Sequence, residues 1–265
     1  MKFTKMHGLG NDYLYVYADR LPADPAGMAV RLSDRHFGVG SDGMIWILPS
    51  AAADFQMRIF NADGSEAKMC GNGIRCVGKY VYDKHHTDRT RLTIETLSGI
   101  KTLALLVDHG AVRQVTVDMG RAVVSPPQEL SACGQRVRCV PVDMGNPHAV
   151  VFTDRAEDAP LTTLGPALER HPAFPGGVNV EFVQVLSPTR LRMRVWERGS
   201  GVTMACGTGA CASAAAAVAA GLCPPDEEIT VALDGGELRV RVSGSGAVTM
   251  TGPAETICEG ETIDG

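Results

Sequence analysis

Two cysteines, Cys70 and Cys206, lie in matching contexts, because each is followed by a Gly-x-Gly sequence that begins an apparent helix. The free N–H groups and the positive dipole end of a helix N-terminus favour a thiolate over a thiol whose ordinary pKa is about 8.5. Two thiols on opposite sides of one carbon could remove a proton from one face and return a proton to the other. The pair therefore indicates proton transfer at a carbon centre.

The chain repeats itself around these cysteines. Cys206 follows Cys70 by 136 positions (206 minus 70), and both cysteines have a polar residue nine positions upstream, Asn61 in one copy and Glu197 in the other. Gly10-Asn11 matches Gly145-Asn146 at nearly the same offset. A single cysteine is most often an inert, buried residue. Its repetition with the same neighbours predicts a duplicated unit and favours a reactive role for both copies.

Several polar residues near the two cysteines could bind a charged ligand. The N–H groups of Gly71-Asn72 and Gly207-Thr208 would form an anion site suited to a carboxylate. Arg198 could bind a second carboxylate with two parallel hydrogen bonds, and Glu197 could bind an ammonium group, although an adjacent acid and base in a loop is often a solvated pair.

Other polar residues of interest occupy predicted turns. Asparagine tolerates unusual backbone angles, which is the ordinary reason to find it there. The match of two of them across the repeat favours a role in the site for the set Asn11, Asn61, Asn146 and Asn179. His148 could tune the thiols or cap a turn, and both interpretations stay open.

Composition excludes several classes of function. A net charge of −5 without a basic block argues against a nucleic-acid partner. No apolar run reaches membrane-spanning length and the N-terminus has no signal-peptide core, so no membrane association is expected. Eight cysteines without a CxxC pair argue against structural zinc and predict a reducing, cytoplasmic location. No metal-ligand cluster or nucleotide-binding glycine motif stands out and lysines are few, so we expect neither a metal nor a cofactor.

The pattern of apolar residues predicts an α/β (α+β) protein of two domains. The first covers residues 1–118 and is joined by the tail 253–265, and the second covers 119–252, with the active site in the cleft between them. Each domain is expected to be rich in strands and to have one central helix, beginning after Cys70 and after Cys206. Residues 120–135 are expected to be a linker, and the tail belongs to neither copy of the repeat.

The motifs resemble those of the diaminopimelate epimerase family, in order and over essentially the whole chain. They are Met6-His7-Gly8-Leu9-Gly10-Asn11-Asp12, Phe60-Asn61-Ala62-Asp63-Gly64-Ser65, Cys70-Gly71-Asn72-Gly73, Gly145-Asn146-Pro147-His148, Val178-Asn179-Val180 and Glu197-Arg198-Gly199 through Cys206-Gly207-Thr208-Gly209. The resemblance implies a cofactor-independent isomerase with two pseudo-symmetric domains, each a mixed sheet or barrel around a central helix, that assembles as a homodimer. It implies interconversion of LL- and meso-2,6-diaminopimelate in lysine and peptidoglycan precursor biosynthesis.

The resemblance also assigns roles to residues. It implies that Cys70 and Cys206 are the two bases and that His148 and Glu197 tune their pKa values. It places substrate contacts at Asn11, Asn61, Gly71, Asn72, Asn146, Asn179, Glu197, Arg198, Gly207 and Thr208. The chain departs from the family at Gly43, where some members have a contacting glutamine, and at Cys258, where some have an aromatic residue.

Three alternatives remain at the level of sequence. A racemase of the same fold could act on another amino acid, such as histidine. A cysteine hydrolase could use Cys206 with His148, although it would leave the duplicated Cys70 unexplained. A binding module without catalysis is the third alternative.

Overall fold

The computed structural model describes residues 1–263; Asp264 and Gly265, at the end of the predicted tail, lie outside the described residues. Contacts between residues divide the chain into two compact units. Unit 1 comprises residues 1–117 together with the chain from Gly252 onward, and unit 2 comprises residues 118–251.

Unit 1 contains two α-helices and a mixed sheet. In chain order its elements are β1 (Lys2–Gly8), β2 (Asn11–Tyr17), α1 (Pro25–Ser33), β3 (Gly43–Leu48), β4 (Phe55–Asn61), β5 (Glu66–Ala67), α2 (Gly71–Asp83), β6 (Arg91–Thr96), β7 (Gly99–Asp108) and β8 (Ala111–Arg121), whose last residues belong to unit 2. Strand β2 pairs in parallel with β3, and β4 pairs in parallel with β6. A parallel pair requires a crossover connection. Helices α1 and α2 lie in these two connections.

Unit 2 repeats this order after a short extension. Its elements are β9 (Val123–Val124), β10 (Gln128–Ala132), β11 (Gln135–Asp143), β12 (Pro147–Phe152), a 3₁₀ turn (Ala156–Asp158), α3 (Leu161–Glu169), β13 (Asn179–Ser187), β14 (Arg190–Glu197), β15 (Gly201–Val202), α4 (Gly207–Ala219), β16 (Glu228–Leu233), β17 (Gly236–Val242) and β18 (Ala247–Gly252). Strands β12 and β13 are parallel, as are β14 and β16, with α3 and α4 in the crossovers. The predicted α/β fold from a duplicated unit is therefore confirmed.

One helix in each unit packs against several strands. Helix α2 contacts β1, β2 and β7, and α4 contacts β11, β12, β13, β14, β16 and β17. Alanine fills most of α4, and nearly all of its residues are buried. A helix that is apolar on every side needs partners on every side, and the small side chains let the strands approach closely. Each of these two helices is capped at its N-terminus by one of the two repeated cysteines.

One segment differs from the sequence-based expectation. The expected linker 120–135 is wrong, because it includes β9 and β10, and β10 pairs with the start of β11 from Gln128↔Cys139 to Ala132↔Gln135. The tail forms a further strand, β19 (Glu255–Glu261), which pairs antiparallel with β1. Its side chains are almost all exposed, so no alternating apolar pattern marks it as a strand.

Among residues 1–263, no helix is both long and apolar enough to cross a membrane.

Candidate active site

The Cys70 thiol caps the first turn of α2. Cys70 has an extended backbone, with φ −136° and ψ 115°, and its Sγ accepts a hydrogen bond from the N–H of Gly73 at 3.3 Å. This is the position in which a side chain satisfies a free N–H group of the helix start. The thiol donates to Oδ1 of Asn11 at 3.4 Å. The sulfur therefore lies where the helix N-terminus favours its negative form.

Asn11 is held in place by a network of charged residues. Its Nδ2 donates to Oδ2 of Asp42 at 2.8 Å, which leaves Oδ1 turned toward the sulfur. Arg35 bridges Asp42 and Asp12 at 3.0 and 2.9 Å. Lys5 adds a second ion pair to Asp12 at 3.0 Å. The orientation of Asn11 is thus fixed by residues outside the predicted set.

The first turn of α2 also holds Asn72 in a defined position. Asn72 is buried, and its Oδ1 accepts a hydrogen bond from Nη2 of Arg75 at 3.1 Å. Arg75 is fully buried and also donates to the carbonyls of Gly71 at 3.0 Å and Pro253 at 3.1 Å. Unit 1 therefore brings Cys70, Asn11, Gly71 and Asn72 together.

Asn61 ends β4 opposite Gly43, and its Oδ1 accepts a hydrogen bond from the hydroxyl of Tyr13 at 3.2 Å. A Cβ atom at Gly43 would lie 2.3 Å from the carbonyl of Phe60 and 2.8 Å from Cα of Asn61. A glutamine cannot occupy this position without moving the neighbouring strand. The departure from the family at residue 43 thus has a steric reason in this chain.

The Cys206 thiol caps α4 in the same way. Its Sγ accepts from the N–H of Gly209 at 3.3 Å and lies 3.6 Å from Oγ1 of Thr208. Cys206 is only 7% exposed, whereas Cys70 is half-buried. Asn146 Nδ2 donates to Oγ1 of Thr208 at 3.4 Å. Asn146 therefore contacts Thr208, which lies next to the Cys206 thiol, whereas Asn11 contacts the Cys70 thiol directly.

His148 and Glu181 form a buried pair in unit 2. Nδ1 of His148 lies 2.7 Å from Oε1 of Glu181, and Nε2 lies 3.1 Å from Oδ1 of Asn146. Both side chains of the pair are fully buried. His148 thus links a buried carboxylate to Asn146. A residue that only caps a turn, which was one of the two interpretations left open by the sequence, would not make this link.

Glu197 and Cys206 influence each other's protonation. Burial raises the pKa of Glu197, and the hydrogen bond from the Thr203 hydroxyl opposes that rise. Burial also raises the pKa of the Cys206 thiol well above its ordinary value, and the carboxylates of Glu197 and Glu181 raise it further. Hydrogen bonds from the Thr208 hydroxyl and the Gly209 N–H act in the opposite direction. The surroundings of Cys206 therefore favour the protonated thiol.

Asn179 and Arg198 form a second contact in unit 2. The N–H of Arg198 donates to Oδ1 of Asn179 at 3.0 Å, and Nδ2 of Asn179 donates to the carbonyl of Pro147 at 3.1 Å. The guanidinium of Arg198 is held by the carbonyl of Gly176 at 3.1 Å. These bonds hold the main chain of Arg198 and Nη1 of its guanidinium, which has further N–H donors on Nε and Nη2.

Three residues near the site were missed by sequence reasoning: Asp42, Arg75 and Glu181. Arg75 lies four residues after Gly71, one helical turn away, which is a signal that could have placed it beside the first turn. Glu181 lies between the apolar residues Val180 and Phe182, where a lone carboxylate is a signal for a specific partner. Within residues 1–263, no group of three or more His, Cys, Asp or Glu side chains could hold a metal ion.

The chain is similar to known proteins along nearly its whole length. A model of the family "Diaminopimelate epimerase" matches residues 3–125 and 140–257. Proteins named diaminopimelate epimerase are similar to it in Acetivibrio thermocellus (48% identical, covering 98% of both chains) and in Bacillus velezensis (50% identical, 98% of this chain and 97% of the relative). The protein of that name in Methanococcus maripaludis is 48% identical, over 98% of this chain and 99% of the relative.

Solved structures with lower sequence identity share the fold. A predicted epimerase from Pseudomonas aeruginosa superposes with a TM-score of 0.77 at 19% identity, covering 100% of this chain and 99% of that one. A hydroxyproline epimerase from Agrobacterium vitis, with bound trans-4-hydroxy-L-proline, gives a TM-score of 0.74 at 19% identity, covering 98% of this chain and 91% of that one.

Proposed function

The chain belongs to the diaminopimelate epimerase family, and on this premise we propose that it interconverts LL- and meso-2,6-diaminopimelate with Cys70 and Cys206 as its two bases. The observation that carries the assignment of the bases is the repeated geometry of the two thiols. Each caps the first turn of the central helix of its unit and accepts the N–H of the third helical residue at 3.3 Å.

The proposed reaction moves one proton in and one proton out. One cysteine, as thiolate, removes the α-proton, so that the C–H bond breaks and an S–H bond forms. The other cysteine, as thiol, donates its proton to the opposite face of the same carbon. The protonation states of the two sulfurs are exchanged after one turnover, which prepares the enzyme for the opposite stereoisomer.

The α-carboxylate binds, in this proposal, at the helix starts. The N–H groups of Gly71-Asn72 and Gly207-Thr208 are donors of the kind that hold anions at helix N-termini. Negative charge that develops on the substrate during proton removal would be stabilised by the same donors. Asn11 and Asn146, held beside the two cysteine turns, complete the binding of the reacting centre.

The distal amino-acid end distinguishes diaminopimelate from smaller substrates. We assign its carboxylate to Arg198, with Asn61 and Asn179 as further contacts, and its ammonium group to Glu197. Planar two-pronged binding by arginine suits a carboxylate that must be recognised rather than activated. A histidine substrate has no second carboxylate, and the family match likewise favours diaminopimelate over histidine.

Assembly and location are further parts of the proposal. We propose that the chain works as a homodimer in the cytoplasm, within lysine and peptidoglycan precursor biosynthesis. Eight free cysteines suit a reducing compartment. Light scattering on the purified protein would give the mass of the assembly, and a mass of one chain at micromolar concentration would contradict the dimer.

Substrate specificity is tested by incubating the purified protein with LL-diaminopimelate or L-histidine in deuterated water. We expect deuterium to enter the α-position of diaminopimelate together with formation of the meso isomer, while histidine stays unlabelled. The double variant Cys70→Ala/Cys206→Ala is the control and should incorporate nothing. Faster labelling of histidine than of diaminopimelate would contradict the proposed substrate.

A further inference from the structure

The first turns of α2 and α4 pack against different side chains. Gly73 and Gly209 are the third residues of α2 and α4, and a Cβ atom at Gly73 would lie 2.6 Å from Cδ1 of Ile45. A Cβ atom at Gly209 would lie 2.7 Å from Oε1 of Glu181. Ile45 and Glu181 occupy corresponding places in the parallel pairs β2–β3 and β12–β13. Unit 2 therefore has a carboxylate where unit 1 has an aliphatic side chain.

Packing alone does not account for this carboxylate. The Glu181 side chain is fully buried, and burial of a carboxylate costs free energy unless it is paired. Its Oε1 is paired with His148 at 2.7 Å, whereas Oε2 has no hydrogen-bond partner within residues 1–263. The isoleucine in unit 1 shows that an apolar residue suits the position. A costly buried acid at one of two equivalent places points to a role in that half of the site.

A chain of contacts runs from Glu181 to the thiol. His148 joins Glu181 to Asn146, whose amide donates to Thr208 at 3.4 Å. The Thr208 hydroxyl lies 3.6 Å from Sγ of Cys206. In unit 1 the residue at the place of His148 is Tyr13, and its hydroxyl donates to Asn61.

We infer that Glu181 is a positioning residue of the Cys206 half-site: it orients His148 and places a negative charge beneath the turn of Cys206, where the turn of Cys70 has the aliphatic side chain of Ile45. This inference rests on the proposed function, in which Cys206 is one of the two bases. It explains how two thiols in equivalent helix positions are made unequal, so that Cys206 holds its proton in the free enzyme.

The groups that act on the Cys206 thiol come from three elements. They are Glu197 from β14, Glu181 from β13, and the Thr208 hydroxyl and the Gly209 N–H from α4. His148 from β12 pairs with Glu181. Both carboxylates raise the pKa of the Cys206 thiol, in addition to the effect of burial. Removal of the Glu181 charge should therefore lower the pH at which Cys206 becomes a thiolate.

The experiment measures the alkylation of each cysteine by iodoacetamide as a function of pH, without substrate, with peptide mass spectrometry to separate Cys206 from Cys70. Only the thiolate reacts. In Glu181→Gln we expect Cys206 to react about tenfold faster than in the unsubstituted protein at a pH below its midpoint, since tenfold corresponds to one pKa unit. The rate at Cys70 should change less than twofold. In Glu181→Asp, which restores the charge, Cys206 should again react slowly.

Control variants separate this role from a structural one. Glu157→Gln makes the same change of charge at an exposed residue of unit 2 and should leave both rates unchanged. If Glu181→Gln does not fold, as judged by circular dichroism, Glu181→Ile copies the side chain of unit 1 and should give the same acceleration. An unchanged Cys206 profile, or equal shifts at both cysteines, would overturn the inference. Because no turnover is measured, failure to epimerise diaminopimelate would count against the proposed function and not against Glu181.

Discussion

Cys70 and Cys206 occupy equivalent helix positions, and yet the residues around them differ in charge and burial. Cys70 is half-buried and contacts Asn11, whereas Cys206 is more deeply buried and the carboxylates of Glu197 and Glu181 raise its pKa. A two-base reaction needs one sulfur with a proton and one without. In the proposed reaction, the carboxylates beside Cys206 provide this difference before the substrate binds.

Arg198 gives a prediction about substrate binding. Arg198→Lys keeps the charge but loses the planar pair of donors, so we expect KM for diaminopimelate to rise roughly 10- to 100-fold, because a charge-assisted hydrogen bond contributes about 1.5–3 kcal/mol. The kcat should change much less, since the contact is remote from the reacting carbon. Steady-state kinetics measures both.

Arg155→Lys is the matched control for Arg198. It changes an exposed arginine of the same unit that pairs with Asp158 at 3.2 Å, and it should leave KM unaltered. A fall in kcat at unchanged KM in Arg198→Lys would argue that Arg198 does not bind the distal carboxylate.

The two cysteines, Asn11 and Asn146 could be singled out from the sequence because the repeat places each residue type in both copies. The repeat does not mark Glu181, since its counterpart in the first copy is Ile45 and a comparison of the copies shows only a mismatch. Asp42 acts on Asn11 through a tertiary contact, which spacing along the chain does not reveal. Arg75 contacts Asn72 within one helix, so its position could be predicted from spacing, whereas its contact with Pro253 could not.

At the scale of elements, the close approach of strand and helix at Gly209 gives a second prediction. Alanine favours a helix over glycine by about 0.5–1 kcal/mol, so propensity alone would make Gly209→Ala stabilising. A Cβ atom there would lie 2.7 Å from Oε1 of Glu181, which is held by His148, and 3.2 Å from Sγ of Cys206. We expect a net loss of about 1–3 kcal/mol in the free energy of unfolding, together with a loss of activity.

Two glycines serve as controls in the same denaturant titrations. Gly244→Ala should change the free energy of unfolding by less than about 0.5 kcal/mol, because its Cβ would meet only Asp226 at 3.5 Å. Gly73→Ala should cost less than Gly209→Ala, because its nearest contact is the flexible end of Ile45. Equal effects at Gly73 and Gly209 would contradict a rigid Glu181.

The helices and most strands follow from apolar periodicity and from glycine and proline at their ends. Strand β19 does not, because it lies at the edge of a sheet and exposes almost every side chain. Strand β10 was hidden by the Ser125-Pro126-Pro127 sequence before it, which is typical of a linker. Strand β19 is determined by its pairing with the distant strand β1, and β10 by its pairing with the following strand β11. Neither strand is marked by an apolar face.

At the scale of the whole molecule, buried thiols outside the site make stability depend on pH. Burial raises the pKa of Cys76 to about 11. A thiol whose pKa is higher in the folded state binds its proton more tightly there, so its contribution to stability is complete below the unfolded pKa and is lost as the pH rises to 11. We expect the free energy of unfolding to fall by roughly 2 kcal/mol between pH 8.5 and 11 from Cys76 alone.

Cys76→Ala tests this assignment. Urea titrations at several pH values should show a shallower decrease above pH 8.5 in the variant, although its stability at pH 7 will be lower because a buried side chain is shortened. If the free energy of unfolding decreases with pH at the same slope in both proteins, Cys76 is not the cause of the pH dependence. Cys139, whose pKa burial also raises to about 11, contributes to the remaining slope.

The duplication is the property of the whole molecule that the sequence revealed most directly. An offset near 136 residues between the cysteines corresponds to the repeated order of strands and crossover helices in units 1 and 2. The two copies differ in residue type at Asn61 against Glu197 and at Ile45 against Glu181. In the sequence, only the difference between Asn61 and Glu197 involves two polar residues, so only that difference suggested a role in the site.

The central claim, that one thiol removes the proton and the other replaces it, is tested most directly by Cys70→Ala and Cys206→Ala, assayed separately with LL- and with meso-diaminopimelate. Each variant retains one thiol, and epimerisation needs both. Loss of the general acid or base typically lowers the rate by a factor of about 10²–10⁴. The account predicts a loss of at least that size for both variants with both isomers. Near-normal epimerisation by either variant would contradict it.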